Sequence, residues 1–146
     1  GETDRVVGTV TEAIAAGATA VVGGGVADGL LAPTVLSGVT PDMAVSRTEV
    51  FGPVVGVASY SDVNDAFAWA NDSRYGLQAG IFTNDLSLGL DAAHRLDYGG
   101  VCVNEVPTFR TDQMPYGGIR DSGNTKEGPA WAVREMTEER MVVITR

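Results

Sequence analysis

Apolar and polar positions along the chain switch repeatedly between a helical and a strand-like period, with glycines at the switches. Over Asp4–Ala16, Val6, Val7, Val10, Ala13 and Ile14 fall on one helical face, and Gly17 supplies the stop. Ala20–Val22 is a short strand running into Gly23-Gly24-Gly25, Leu30–Val39 holds extended pieces around Pro33, and Pro41–Thr48 is a loop. Val54–Tyr60, bounded by Gly52-Pro53, predicts a buried strand. Ser61 then caps a helix with Val63, Ala66, Phe67 and Ala70 at helical spacing. Ala79–Thr83 is the next strand. Asn84 or Asp85 caps a helix whose inner face is Leu86, Leu90, Ala93 and Leu96; Gly99-Gly100 stops it, and Val101–Val103 follows as a strand. A polar loop runs from Asn104 to Thr125, Pro129 opens a last helix carrying Ala132, Val133 and Met136, and Arg140–Arg146 is a terminal strand.

Strands that are apolar throughout, joined by helical crossovers, describe two successive β-α-β units. The fold class is α/β, a three-layer αβα arrangement with a mainly parallel sheet. Ligands of such sheets bind beyond the carboxyl ends of the strands. That directs attention to the segment after Val103 and to the surroundings of Glu49.

Composition narrows the function classes. With 146 residues, 44% of them hydrophobic, the chain can bury one substantial core. Ten basic against 19 acidic residues give a net charge of −9, a poor match to a nucleic-acid backbone. One cysteine and one histidine leave no disulfide framework and no cysteine- or histidine-rich metal centre. No apolar run approaches the ~20 residues of a membrane span, and the start lacks a signal-peptide pattern, so the expectation is a cytoplasmic protein.

Several residues carry candidate chemistry. Gly23-Gly24-Gly25 follows a strand as a phosphate loop would, but without a Gly-Lys-Ser/Thr tail it is read as a flexible turn. His94 has no second ligand at metal spacing and belongs to a helix face. Glu49 precedes Val50-Phe51-Gly52-Pro53; a carboxylate beside an aromatic on a rigid turn can hold two hydroxyls while the ring lies against a planar group. Cys102, between Val101 and Val103, has neither the access nor the pKa-lowering neighbours that a reactive thiol needs, and is assigned to core packing. Arg110 and Arg120, in or beside the long loop, suit a carboxylate or phosphate grip as well as a solvated loop.

Three stretches then act together. The segment TEVFGPVVGVASYSDVNDAFAWANDSRYGLQAGIFTNDL resembles the aldehyde dehydrogenase superfamily, with its Glu-x-Phe-Gly-Pro, Ala-Asn and Tyr-Gly-Leu pattern. GGVCVNEVPTF is similar to that family's Gly-x-x-x-Val-Asn strand and loop. MPYGGIRDSGNTKEG resembles its Pro-Phe-Gly-Gly-x-Lys-x-Ser-Gly signature, with Tyr116 for Phe and Arg120 for Lys. The resemblance extends over essentially the whole chain.

It implies a C-terminal portion, residues 1–146, of an aldehyde dehydrogenase catalytic domain, with 139–146 a terminal oligomerisation strand. The implied reaction is oxidation of an aldehyde by NAD or NADP to a carboxylic acid through a thioester. By position, Glu49 would bind the nicotinamide ribose and Phe51 would lie beside the nicotinamide. Glu105, Pro107, Phe109, Arg110 and Tyr116 would line the substrate pocket, Arg110 suggesting a hydroxylated or anionic aldehyde. The family's nucleophilic cysteine, general-base glutamate and dinucleotide domain match no segment here, so the chain holds no catalytic residue and is expected to be inactive alone. The expected partners are a small aldehyde and further copies of the chain, with no nucleic acid, membrane or metal. The alternative is a non-catalytic assembly module derived from the same fold.

Overall fold

The computed structural model describes residues 1–146, which fall into two compact units, Gly1–Trp69 and Ala70–Arg146. In the first, helix α1 (Glu2–Ala15) opens with acidic Glu2 and Asp4, favourable at a helix N-terminus. It buries Val6, Val10 and Ala13. Val10 and Ala13 join Ala18, Leu36, Val39 and Met43 in one core cluster, in which Leu36 is completely buried. Strands β1 (Thr19–Val22), β4 (Thr34–Ser37) and β5 (Val54–Val57) form a sheet in the order β1-β4-β5, antiparallel on one side of β4 and parallel on the other. Between them, β2 (Val26–Ala27) and β3 (Leu30–Leu31) make a small hairpin around Asp28-Gly29. Both turn residues have positive φ, 52° and 76°, which suits Asp-Gly in a two-residue hairpin loop. A one-turn helix α2 (Ala44–Arg47) occupies what the pattern predicts as loop.

Helix α3 (Val63–Asn71) carries the chain into the second unit. There β6 (Gln78–Ile81), helix α4 (Leu86–Arg95) and β7 (Gly100–Val103) form a β-α-β unit with β6 and β7 parallel. Asp85 caps α4, its carboxylate accepting from the amides of Ser87 and Leu88. Past β7 come a long loop, a 3-10 turn at Arg120–Ser122, and helix α5 (Pro129–Glu135) with proline in its first turn. No helix is long and apolar enough to cross a membrane.

The α/β class and most elements match the expected pattern, with four differences besides α2. The strands fall into three small sheets, of which the three-stranded one is mixed, and β5 belongs to it while β6 pairs with β7, so only the second β-α-β unit pairs its own strands. The face of α4 is turned from the expected one. Gly89, Ala92 and Leu96 are buried while Leu86 and Leu90 are 74% and 55% exposed. Gly89 allows this, since a β-carbon there would lie 3.1 Å from Val103 Cγ1. The strand at 54–60 ends at Val57, and Val55 and Val57 are exposed, as are Val21 and Val22 of β1. Finally, residues 137–146 form no strand within the chain; Met141, Val142, Val143 and Ile144 are exposed, for want of a neighbouring strand to pair with.

Candidate functional site

The first candidate group lies on the turn between α2 and β5. Arg5 Nη2 donates to the Val50 carbonyl at 2.8 Å, and the Thr34 amide donates to the Pro53 carbonyl at 2.8 Å. A β-carbon at Gly52 would fall 2.8 Å from Val6 Cγ1, so α1 presses directly on the turn and only glycine fits there. Between these anchors Phe51 sits at φ +50°, a region a bulky side chain enters at a cost of about 1–3 kcal/mol. Its ring is 80% exposed. It forms one wall of a cavity of about 260 Å³, lined also by Glu2, Val6, Leu30, Leu31 and Pro53. Glu49 is exposed beside it, its carboxylate without a hydrogen bond or ion pair inside the chain.

These residues fit one end of a dinucleotide. A free carboxylate offers two acceptors to a ribose diol, and the ring offers a face to a nicotinamide. The glycine run does not supply a phosphate cradle. A β-carbon at Gly23 would lie 2.1 Å from the Pro33 carbonyl, and the Gly24 amide already donates to Thr34 Oγ1 at 2.9 Å. The run is a structural turn. Leu30 and Leu31, extended as the pattern predicts, are brought to the cavity by the Asp-Gly hairpin, which the pattern alone does not mark.

The second group follows β7. Asn104, at φ +58°, donates its amide to the Ile81 carbonyl at 2.7 Å and accepts from the Thr83 amide at 2.8 Å, closing both strand ends at once. Asparagine tolerates this left-handed conformation better than most residues. The chain then folds over β6, where a β-carbon at Gly80 would meet the Glu105 carbonyl at 2.8 Å and Pro107 Cδ at 3.2 Å. Gln78 Nε2 reaches the Phe109 carbonyl at 2.9 Å and Cys102 Sγ at 3.1 Å, so one amide joins strand and loop. Arg110 pairs with Glu127 at 2.5 Å and lies over the Tyr116 ring, 4.9 Å from its centroid. Tyr116 and Glu127 are themselves an antiparallel bridge pair. Glu105, Pro107, Phe109 and Arg110 are exposed and Tyr116 is half-buried, so the loop brings together Arg110 and Tyr116 and leaves the other three open to solvent.

Three other residues resolve more simply. Cys102 is half-buried rather than sealed in the core, and takes an N–H from Gln78. His94 lies exposed on α4 with Nδ1 at 2.8 Å from the Leu90 carbonyl. Arg120, weighed as an anion grip, donates instead to the backbone carbonyls of Asn71, Ser73 and Asp97 and sits over Tyr98, tying the end of α3 to the end of α4. No group of three or more histidine, cysteine, aspartate or glutamate side chains is placed to hold a metal. Gln78 and Glu127 were not singled out from the sequence; an amide in an apolar strand, and one acid among 19, give no signal until their partners are known.

The chain is an α/β chain with an exposed carboxylate and ring on one turn of its first unit and an arginine-bearing loop at a strand end of its second. The profile described as the aldehyde dehydrogenase family matches residues 1–142, and the chain belongs to that family. It is 48% identical over 143 residues to 3-sulfolactaldehyde dehydrogenase of Priestia aryabhattai, covering 98% of this chain and 30% of that protein. It is 46% identical over 135 residues to lactaldehyde dehydrogenase of Methanococcus vannielii, covering 92% and 29%. Among solved structures, aldehyde dehydrogenase 21 of Physcomitrella patens, in complex with its reaction product succinate, superimposes with a TM-score of 0.89 at 38% identity, covering 94% of this chain and 28% of that one. Glyceraldehyde-3-phosphate dehydrogenase GapN of Methanocaldococcus jannaschii, complexed with NADP, gives 0.87 at 36% identity, covering 92% and 29%. The chain thus spans about 30% of the length of the curated relatives it matches.

Proposed function

We propose that this chain provides the nicotinamide-ribose contact and the substrate loop of a cytoplasmic, NAD- or NADP-dependent aldehyde dehydrogenase whose substrate is a short aldehyde with an anionic or hydroxylated end. The observation that carries the reading is Arg110, a guanidinium presented from the loop beyond β7 beside Tyr116. Three of the four similar proteins above are named for, or bound to, a compound with a sulfonate, carboxylate or phosphate. Arginine suits all three because its fork of donors matches their oxygens.

In this reading the nicotinamide cofactor accepts hydride when bound. Glu49 accepts hydrogen bonds from its ribose hydroxyls, and Phe51, held in place by Arg5, Val6 and Gly52, limits where its ring can lie. Arg110 fixes the far end of the aldehyde, and Glu105, Pro107, Phe109 and Tyr116 shape the approach. The thiolate that attacks the aldehyde belongs to another part of the fold; Cys102, mid-strand and bonded to Gln78, is structural.

The purified chain should give no turnover with NAD, NADP and a panel of aldehydes. Placed in the Priestia enzyme instead of its matching segment, it should support oxidation of 3-sulfolactaldehyde. There Arg110→Gln should raise KM for that substrate while leaving kcat/KM for an uncharged aldehyde nearly unchanged. Equal loss for both substrates would refute the anion-gripping role. A second reading, an assembly module, draws on the exposed apolar residues of β1, β5 and 141–144. A dilute chain that scatters light as a monomer would count against it.

A further inference from the structure

The arginine proposed to grip the substrate is not idle in this chain. Its Nη2 lies 2.5 Å from Glu127 Oε2, and the guanidinium covers the Tyr116 ring. Glu127 is held at that position by its backbone. Its amide donates to the Tyr116 carbonyl at 2.6 Å, completing the isolated bridge between the two residues. The residues on either side are locked as closely. A β-carbon at Gly117 would lie 2.1 Å from the Thr125 carbonyl, and one at Gly128 would lie 2.7 Å from the Met114 carbonyl. Lys126 Nζ donates to the Gly117 carbonyl at 2.8 Å. On the other side Gln78 holds the Phe109 carbonyl, one residue before Arg110. Ring and carboxylate therefore converge on one cation, each fixed in place by its own backbone. Both charged side chains stay open to solvent, at 48% and 58% exposure, so the pair can be exchanged without unfolding anything.

We propose that Glu127 is a built-in competitor for the anion-binding face of Arg110: an anionic ligand binds by taking the place of the Glu127 carboxylate, and Tyr116 keeps the guanidinium in position during the exchange. The inference rests on the substrate reading above. Its consequence is selectivity. A ligand with no anionic end leaves the pair closed, and a carboxylate gains only the difference between two like contacts. A sulfonate or phosphate, with a third oxygen and a tetrahedral spread, reaches more of the guanidinium donors than the single Nη2 contact of Glu127 and displaces it more readily.

The test is titration of the intact chain with inorganic sulfate at low ionic strength, followed by NMR of the Arg110 Nε–H resonance, which is assigned by its absence in Arg110→Gln. Glu127→Gln keeps the side-chain length and the backbone bridge and removes the competing charge. It should bind sulfate about two- to five-fold more tightly than the parent, the factor expected for losing an exposed ion pair. Glu138→Gln, which changes the net charge equally at a site outside the pair, should match the parent. An affinity in Glu127→Gln equal to or below the parent's, or an equal gain in Glu138→Gln, overturns the competitor role while leaving the grip of Arg110 standing. Failure of sulfate to move the Arg110 resonance in both the parent and Glu127→Gln overturns the inference and the anionic-substrate reading together.

Discussion

Gly99→Ala should be among the most damaging single-methyl changes in the second unit. No left-handed backbone is at issue, since Gly99 lies outside the positive-φ glycines. The obstacle is the Gly117 carbonyl: an alanine β-carbon would lie 1.8 Å from its oxygen and 3.0 Å from Gly118 Cα. Real β-carbons do not come closer than about 3.0 Å, so the loop at Gly117 must retreat by about 1.2 Å or more. That loop cannot retreat alone, because Gly117 is wedged against the Thr125 carbonyl and Gly118 against Ser122. Overpacking of this kind typically costs about 1–3 kcal/mol, and collision between two backbones belongs at the upper end. In a Trp69→Phe background, Trp131 is the only tryptophan and reports on the second unit. Urea unfolding followed by its fluorescence should show a midpoint lowered by about 1 M or more, taking a slope of about 1–3 kcal/mol/M. Gly8→Ala is the opposite control: it lies within α1 with nothing within 4 Å of a new β-carbon, and should stabilise the first unit by about 0.5–1 kcal/mol. An unchanged midpoint for Gly99→Ala would show that the backbones do not approach as described.

Asn104→Ala loses the acceptor of the Thr83 amide and puts alanine at φ +58°; a loss of about 1–3 kcal/mol is expected in chemical unfolding, with Asn104→Gly milder. Phe51→Gly releases the strain at φ +50° and should raise the stability of the chain in thermal melting, while in the Priestia chimera, on the proposed role of the ring, it should raise the cofactor KM. Burial, partly opposed by Arg120, raises the Tyr98 phenol above its ordinary value of 10.0. A raised folded value means that this stability is complete below pH 10.0 and is lost as pH climbs through the folded value, so Tyr98→Phe should flatten the alkaline fall in stability even as it removes the 2.6 Å bond to the Ala70 carbonyl.

Local signals in the sequence were sound where the chain itself decides the outcome. Asp85 as a cap, Pro129 in a first turn and the face of α1 through Val6, Val10 and Ala13 all follow from short-range physics. The Asp28-Gly29 hairpin rests on the same short-range physics, but the strands it joins are only two residues each, too short to carry an alternating pattern. Burial was less legible. Periodicity reports which positions are apolar, whereas exposure depends on what lies across from them. Leu86 and Leu90 look like the core face of α4 until Gly89 and Ala92, which permit closer approach, take that place. Arg120 illustrates a further limit. Its composition suits an anion, but three carbonyls left over at the ends of α3 and α4 claim its donors first.

The uncovered strands bear on how the two candidate groups are built. By mass, a self-contained monomer of 15.2 kDa exposes about 7,100 Å², and two separate bodies of half that mass about 8,600 Å². This chain exposes 10,146 Å², so the excess does not depend on how its units are arranged. The excess includes Val21, Val22, Val55, Val57 and Met141 to Ile144, in β1, β5 and the terminal segment. Of these, only β5 is paired in parallel, and a parallel strand apolar on both faces calls for cover on both. The candidate site residues do not share this dependence. Phe51 is set by Arg5, Val6 and Gly52, and Arg110 by Gln78, Tyr116 and Glu127, all within the unit that carries them. Each candidate group is therefore held by contacts inside its own unit and does not depend on cover for the exposed strands.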